Sequence, residues 1–288
     1  TGQKIFITYG EHDFTDNIVH TVLARIDGAP PGVKGISLFV VPKVQVREDG
    51  TLGDRNAVRC IAIEHKLGIR ASPTAVLSYE GAVGHLVGKP HHGLEYMFIM
   101  MNAARLSVGL EGVSACERAY QAARAWARGR LQGKPAGAAG AGPLPIDRHP
   151  DVRRMLLTIK ALGEASRALA YQAAVYVDRS RHHPDESERR RCQALVDLLT
   201  PVVKGWTTEI GVEAASLGIQ VHGGMGFIEE TGAAQILRDA RIATIYEGTT
   251  GIQANDLVGR KTAREGGRTM AELVSLMQQT AGSLARSA

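Results

Sequence analysis

At 288 residues the chain can bury a sizeable core, in one large domain or in two modest ones. Its 44% hydrophobic and 22% charged residues are those of an ordinary globular protein, which excludes the disordered and fibrous classes. The net charge of +5 permits an anionic partner such as a phosphorylated cofactor, but the excess is too small to argue for nucleic acid.

Three cysteines, Cys60, Cys116 and Cys192, stand far apart. Neither a disulfide framework nor a zinc site is expected from that spacing, and a cytoplasmic, reducing setting fits it best. No apolar run approaches the ~20 residues of a bilayer-crossing helix, so no membrane span is expected.

In chain order, TGQKIFITYG is already in strand-like alternation by Lys4, so the chain is expected to open inside a longer domain. KIFITYG, VHTVLARI, ISLFVVPK, VRCIAIEHK and AVLSYEG are short and rich in Val, Ile and Phe. Turn signals such as DGAPPG and EDG separate them. With no helical crossover between them, they predict an antiparallel barrel or sandwich over residues 1–88.

From HHGLEYMFIMMNAARL onward the period changes. Val152, Met155, Leu156, Ile159 and Leu162 recur at steps of three and four, which marks one helix face. Helices of about 30 residues are predicted near 94–130, 150–181 and 186–218, a set that suits an up-and-down helical bundle over 89–288. GKPAGAAGAGPLP cannot hold a helix and reads as the loop between the first two. RHHPDESERRR reads as a charged turn between the second and third. The fold class is α+β, a small antiparallel β domain followed by an all-helical one.

The pairs His91–His92 and His182–His183 look like metal ligands at a glance. Adjacent side chains diverge and both pairs read as loop residues, so no metal is expected. The arginines at 189–191 read as a solvated helix start.

Two stretches have the makings of a site. QVHGGMGF (220–227) follows a long helix; its glycines make an ordinary helix end, or they let the backbone approach a phosphate or an adenosine. IYEGTTGIQ (245–253) puts Glu247 between an apolar pair and a helix-breaking glycine. A carboxylate at the mouth of a helix is explained by the helix dipole alone. The competing reading is a poorly solvated acid able to take a proton from a weak carbon acid, with a backbone N–H at the same turn holding the developing oxyanion.

GQKIFITYGEHD, PPGVKGISLFVVPK, KLGIRASPT, QVHGGMGF, RDARIATIYEGTTGIQ and DLVGRK occur in the order found in the acyl-CoA dehydrogenase family of flavoproteins, which the chain resembles from residue 2 to about 261. GEHD and GIQANDLVGRK are most similar to the long bacterial members. The resemblance implies FAD and the α,β-dehydrogenation of an acyl-CoA thioester. Glu247 would take the pro-R α-proton while the β-hydride passes to flavin N5. The N–H of Glu247, with a flavin ribityl hydroxyl, would polarise the thioester carbonyl.

By the same resemblance Phe6 and Thr8 would meet the isoalloxazine, and Thr249 would make a further flavin contact. Arg130, with Gln132 beside it, would reach the FAD pyrophosphate of a neighbouring subunit, where a guanidinium fork suits a diphosphate. Gln220, Gly223 and Gly224 would contact the adenosine half. Asn102 and Arg105 would bind the CoA portion, and Tyr246 and Gly248 would line the acyl pocket. A homodimer or homotetramer and an electron-transfer flavoprotein are the implied partners. Departures are Gly251 where many members carry Gln, and Gln235 in place of a usual basic residue.

The family's N-terminal helical domain and its TEPxxGSD-like strand would lie upstream of Thr1, so this chain by itself is expected to bind FAD weakly and turn over little. Two rivals share the fold. Alkylation-response proteins keep the flavin and bind DNA through a basic bundle surface, and the pI near 9.2 with arginines at 124–130 and 189–191 allows that. Acyl-CoA oxidases differ in letting oxygen reach the reduced flavin.

Overall fold

The computed structural model describes residues 1–137, 139–140 and 142–287. They form two compact units, Thr1–Met101 and Asn102–Ala288.

The first unit is antiparallel β. Its strands are β1 (Gly2–Thr8), β2 (Val19–Arg25), β3 (Ile36–Pro42), β4 (Val44–Val46), β5 (Leu52–Arg55), β6 (Val58–Ile63), β7 (Thr74–Tyr79) and β8 (His85–Val87). They pair as β1-β7-β6, β2-β3-β8 and a β4-β5 ribbon. Val22 and Val41 from one three-stranded sheet meet Val58, Ala75 and Leu77 from the other, so the two share one core. The five predicted strands are β1, β2, β3, β6 and β7. The three unpredicted ones have three or four residues, too few for a period to register. In β1 the register shifts between Lys4 and Ile7, and Phe6 takes a left-handed φ of 62° there.

The second unit is helical. It takes α1 (Gly93–Gly129) from Asn102 onward, then α2 (Pro150–His182), α3 (Glu186–His222), α4 (Ala233–Ala240), α5 (Thr250–Asp256) and α6 (Arg268–Ser287). The three long helices lie where the apolar period puts them, and α3 runs on to His222. Pro150 opens α2, where its missing N–H costs nothing, and Arg179, Arg181 and His182 close it against the negative dipole end. Asp185 caps α3 by accepting from the Ser187 N–H at 2.8 Å. The stretch after α1 is helix-free where described, its base closed by Gln132 N–H to the Leu144 carbonyl at 3.0 Å. Its Ala138 and Ala141 lie outside the described residues.

One core cluster of the unit joins Ala170, Ala173 and Tyr176 of α2 to Cys192, Leu195, Leu199 and Val203 of α3. α1 and α3 come closer than side chains would normally allow. A Cβ on Gly112 would lie 2.2 Å from the Thr207 carbonyl oxygen, so only glycine fits. Thr207 Oγ1 donates to the Gly109 carbonyl across the same crossing at 2.6 Å. This close contact carries Arg105 of α1 and Lys204 of α3 deep into the unit.

Candidate active site

The segment around Glu247 bridges a one-turn helix (Arg241–Thr244) and α5. Glu247 has φ 56° and Gly248 φ 90°, so two consecutive residues are left-handed. For a glutamate that conformation costs of order 1 kcal/mol and needs outside support. Three buried side chains supply it. Arg105 Nε donates to the Glu247 carbonyl at 3.4 Å, and Gln253 Nε2 reaches the same oxygen at 3.2 Å. Gln253 also reaches the Gly248 carbonyl at 3.1 Å, and Lys204 Nζ donates to it at 2.6 Å. A Cβ on Gly248 would meet Gln253 Nε2 at 2.8 Å, which with the positive φ fixes glycine here. Thr249 Oγ1 then caps α5, accepting from the Ile252 N–H at 3.3 Å.

With its carbonyl drawn inward, Glu247 keeps its side chain free. The carboxylate is half-buried and has no hydrogen-bond or ion-pair partner among the described residues. The apolar pair before it does not enclose it. Ile245 is 46% exposed, and Tyr246 points its hydroxyl at Glu111, donating to the Glu111 carboxylate. Burial holds the Tyr246 phenol above its ordinary range, with the Glu111 bond adding to it. Burial likewise raises Glu111, and the nearby Glu247 charge adds to that, against the Tyr246 bond and the Lys204 charge.

Beneath the turn lies a buried charge pair. Arg105, 5% exposed, meets Asp256 at 3.2 Å, and Asp256 also takes Arg260 at 2.8 Å. Lys204 has no carboxylate within ion-pair distance among the described residues, although it is fully buried. Burial, followed by repulsion from Arg105, lowers its pKa from 10.5 to about 8. Folding therefore favours the neutral amine. Between about pH 8 and 10.5 the unfolded chain holds a proton that the folded chain has released, so this lysine makes stability rise with pH. The stability of wild type relative to Lys204→Met is expected to rise by about 3 kcal/mol across that window, read by denaturant unfolding at successive pH values.

The other predicted residues fall into separate places. Asn102 is half-buried on α1, one turn before Arg105. Arg130 and Gln132 are exposed past the end of α1, with the guanidinium 3.4 Å from the Gln132 side-chain oxygen. Gln220, Gly223 and Gly224 are exposed at the end of α3, where Gly223, at a positive φ of 62°, returns its N–H to the Gln220 carbonyl. Trp126 stacks on His222 with ring centroids 5.1 Å apart, so the α1 and α3 ends carrying Arg130 and Gly223 meet. In the β unit Thr8 is exposed opposite Thr74, and Phe6 is 69% exposed.

The histidine pairs do structural work. The His91 N–H donates to Ser37 Oγ, His92 pairs with Glu95, and His182–His183 end α2. The arginine run is engaged in hydrogen bonds and ion pairs, most of them local. Arg189 donates to the His183 and Pro184 carbonyls, while Arg190 and Arg191 pair with Glu186, Glu188 and Glu272.

Lys204, Gln253, Asp256 and Glu111 were not predicted. Lys204 had a readable signal, since it stands four residues from Thr200 and from Thr208 on the buried side of α3. Asp256 offered only its i,i+4 spacing to Arg260, and its buried partner Arg105 lies 151 residues away.

Comparison with known proteins bears on the same region. The model of the acyl-CoA dehydrogenase C-terminal domain matches residues 91–261. The 3-methylmercaptopropionyl-CoA dehydrogenase of Ruegeria pomeroyi is 55% identical over 99% of this chain, which spans 48% of that protein. Among solved structures, Caenorhabditis elegans ACDH-11 in complex with C11-CoA superposes with a TM-score of 0.77 at 26% identity, over 90% of this chain and 42% of that one. An acyl-CoA dehydrogenase of Bacillus anthracis complexed with FAD gives 0.75 at 27% identity, over 92% and 43%. The chain spans about half the length of these proteins. Among the described residues no helix is long and apolar enough to cross a membrane. The matched block runs from the residues before α1 past the Glu247 turn to Lys261, more than half of the sequence, and the chain belongs to the acyl-CoA dehydrogenase family.

Proposed function

We propose that this chain supplies the base and part of the cofactor cradle of a FAD-dependent acyl-CoA dehydrogenase, with Glu247 as the α-proton acceptor. One observation carries the reading: an unpartnered carboxylate stands on a left-handed turn whose carbonyls three buried donors hold from below. The left-handed backbone costs free energy at Glu247, and the carboxylate it carries has no partner among the described residues.

The residues present fit FAD. Arg130 is an exposed guanidinium with no carboxylate partner among the described residues, suited to a diphosphate. Gly223 and Gly224 have open space where a Cβ would stand, so a flat group can come against the backbone. Phe6 spends a left-handed backbone on a solvent-facing ring, a cost that stacking would offset. Within the helical unit Arg130 with Gln132 would reach the pyrophosphate of a neighbouring subunit's FAD, Gln220, Gly223 and Gly224 would meet the adenosine half, and Thr249 would offer a flavin contact; within the β unit Phe6 and Thr8 would offer a face to the ring system. When bound, FAD supplies the acceptor for the β-hydride.

The protein's own part is positional and electrostatic. Tyr246 and Gly248 flank the acyl chain, and Asn102 lies toward the CoA portion. Arg105, already engaged with Asp256 and the turn, acts on the acyl-CoA through the turn it holds. Glu247 accepts the α-proton, and its own N–H faces the thioester oxygen on which charge develops. An electron-transfer flavoprotein as acceptor and a homo-oligomer belong to the same proposal.

The test uses the full-length FAD protein with a panel of acyl-CoA thioesters. Anaerobic bleaching of flavin absorbance by at least one thioester is the expected result. Salt-dependent retention of duplex DNA without bleaching would replace this reading with the DNA-binding one, and stoichiometric peroxide in air would replace it with an oxidase.

A further inference from the structure

Lys204 is a buried cation that the proton-transfer step does not use. It lies in the middle of α3, fully buried, and its ammonium ends 2.6 Å from the Gly248 carbonyl oxygen. A helix-interior lysine without a carboxylate partner is expensive to bury, and an apolar residue would pack there at lower cost. What the chain obtains in return is a charge-assisted bond to the residue after the proposed base. We propose that Lys204 is a positioning residue for the base, fixing the left-handed Glu247–Gly248 turn so that the Glu247 carboxylate stays aimed at the substrate. The proposal rests on the reading of Glu247 as the base.

Two features set Lys204 apart from its neighbours. Gln253 and Arg105 also reach the turn, at 3.1 to 3.4 Å, but among the described residues Lys204 makes the shortest contact and the only one on the Gly248 carbonyl from a cation. Its setting also tunes it. Arg105 and Glu111 from α1, Glu209 from its own helix and Glu247 from the turn act on its charge, and Arg105 is itself neutralised by Asp256, which Arg260 also pairs. The bond is strongest while the amine is protonated. As pH rises through about 8 the charge is lost and the turn is held less firmly, even though the fold as a whole gains stability. Positioning and stability run in opposite directions at this one side chain, the signature of a group kept for function.

The experiment uses the full-length FAD protein and three variants: Lys204→Met, which removes donor and charge, Lys204→Gln, which keeps a donor, and Glu247→Gln as the control. Lys204→Met is expected to lower kcat by about 10- to 100-fold with KM within about threefold and flavin content unchanged. Lys204→Gln should fall between it and wild type. Wild-type kcat is expected to decline on the alkaline side of pH 8, and Lys204→Met should lack that limb. Amide hydrogen exchange should quicken about tenfold or more in the peptide spanning 245–250 and stay unchanged in α2. Equal kcat in wild type and Lys204→Met, or exchange quickened evenly across the helical unit, would overturn the positioning role. If Glu247→Gln keeps full activity, the base assignment itself has failed; if it is inactive while Lys204→Met is normal, Lys204 alone is misassigned.

Discussion

Glu247→Gln in the full-length FAD protein is expected to lower kcat by about 10²- to 10⁴-fold while leaving fold and flavin content unchanged. The size follows from the chemistry. An amide is isosteric with the carboxylate but cannot take the α-proton, and nothing among the described residues is placed to replace it. Glu111 is close enough to feel the Glu247 charge, and it is committed to the Tyr246 hydroxyl. The harmlessness to the fold follows from the geometry. Among the described residues, the side-chain donors that reach residues 247 and 248 all bond their backbone carbonyls, and the side chain of 247 has no partner to lose. Stopped-flow bleaching of the flavin by acyl-CoA reads the chemical step directly, and thermal unfolding reads the fold. A variant that is slow and also melts early would mean that the carboxylate helps hold the turn. A variant as fast as wild type would remove Glu247 from the reaction.

What could be read from the sequence depended on how far each signal extends. α1, α2 and α3 repeat their apolar period over eight turns or more, so their limits were legible to within a few residues. α4 and α5 have eight and seven residues, and β4 and β8 three each, too short for a period to stand above chance. The long α6 was also missed; its start follows a turn with Glu265 and Gly266 left-handed, which carries no cap signature. Around the site, YEG announced an acid at a turn, but not that the turn is left-handed or what supports it. Part of the support is local, from Gln253, but the rest comes from Arg105 and Lys204, 142 and 44 residues away, and only folding brings them there. The MNAARL motif marked Arg105 as a residue of interest; its neighbours in the folded chain are the Glu247 carbonyl and Asp256.

The Arg105–Asp256 pair gives the largest expected effect on stability. Both side chains are almost wholly buried, at 6% and 3% exposure. Asp256→Ala leaves a guanidinium in the interior with no counter-charge, and the cost expected for such a break is about 3–5 kcal/mol. Arg105→Met strands the carboxylate less completely, because Arg260 still reaches it at 2.8 Å from the exposed side, so the smaller loss is expected there. The double variant Arg105→Met/Asp256→Leu removes both charges and should recover much of the stability lost in Asp256→Ala, since neither desolvation cost remains. Its activity should not recover with it. The Glu247 carbonyl loses the Arg105 donor in the double variant as surely as in Arg105→Met, and the base turn loosens. Denaturant midpoints and kcat measured on the same four proteins therefore separate the two jobs of the pair. Parallel recovery of both quantities would mean that Arg105 matters to the turn only through the integrity of the fold.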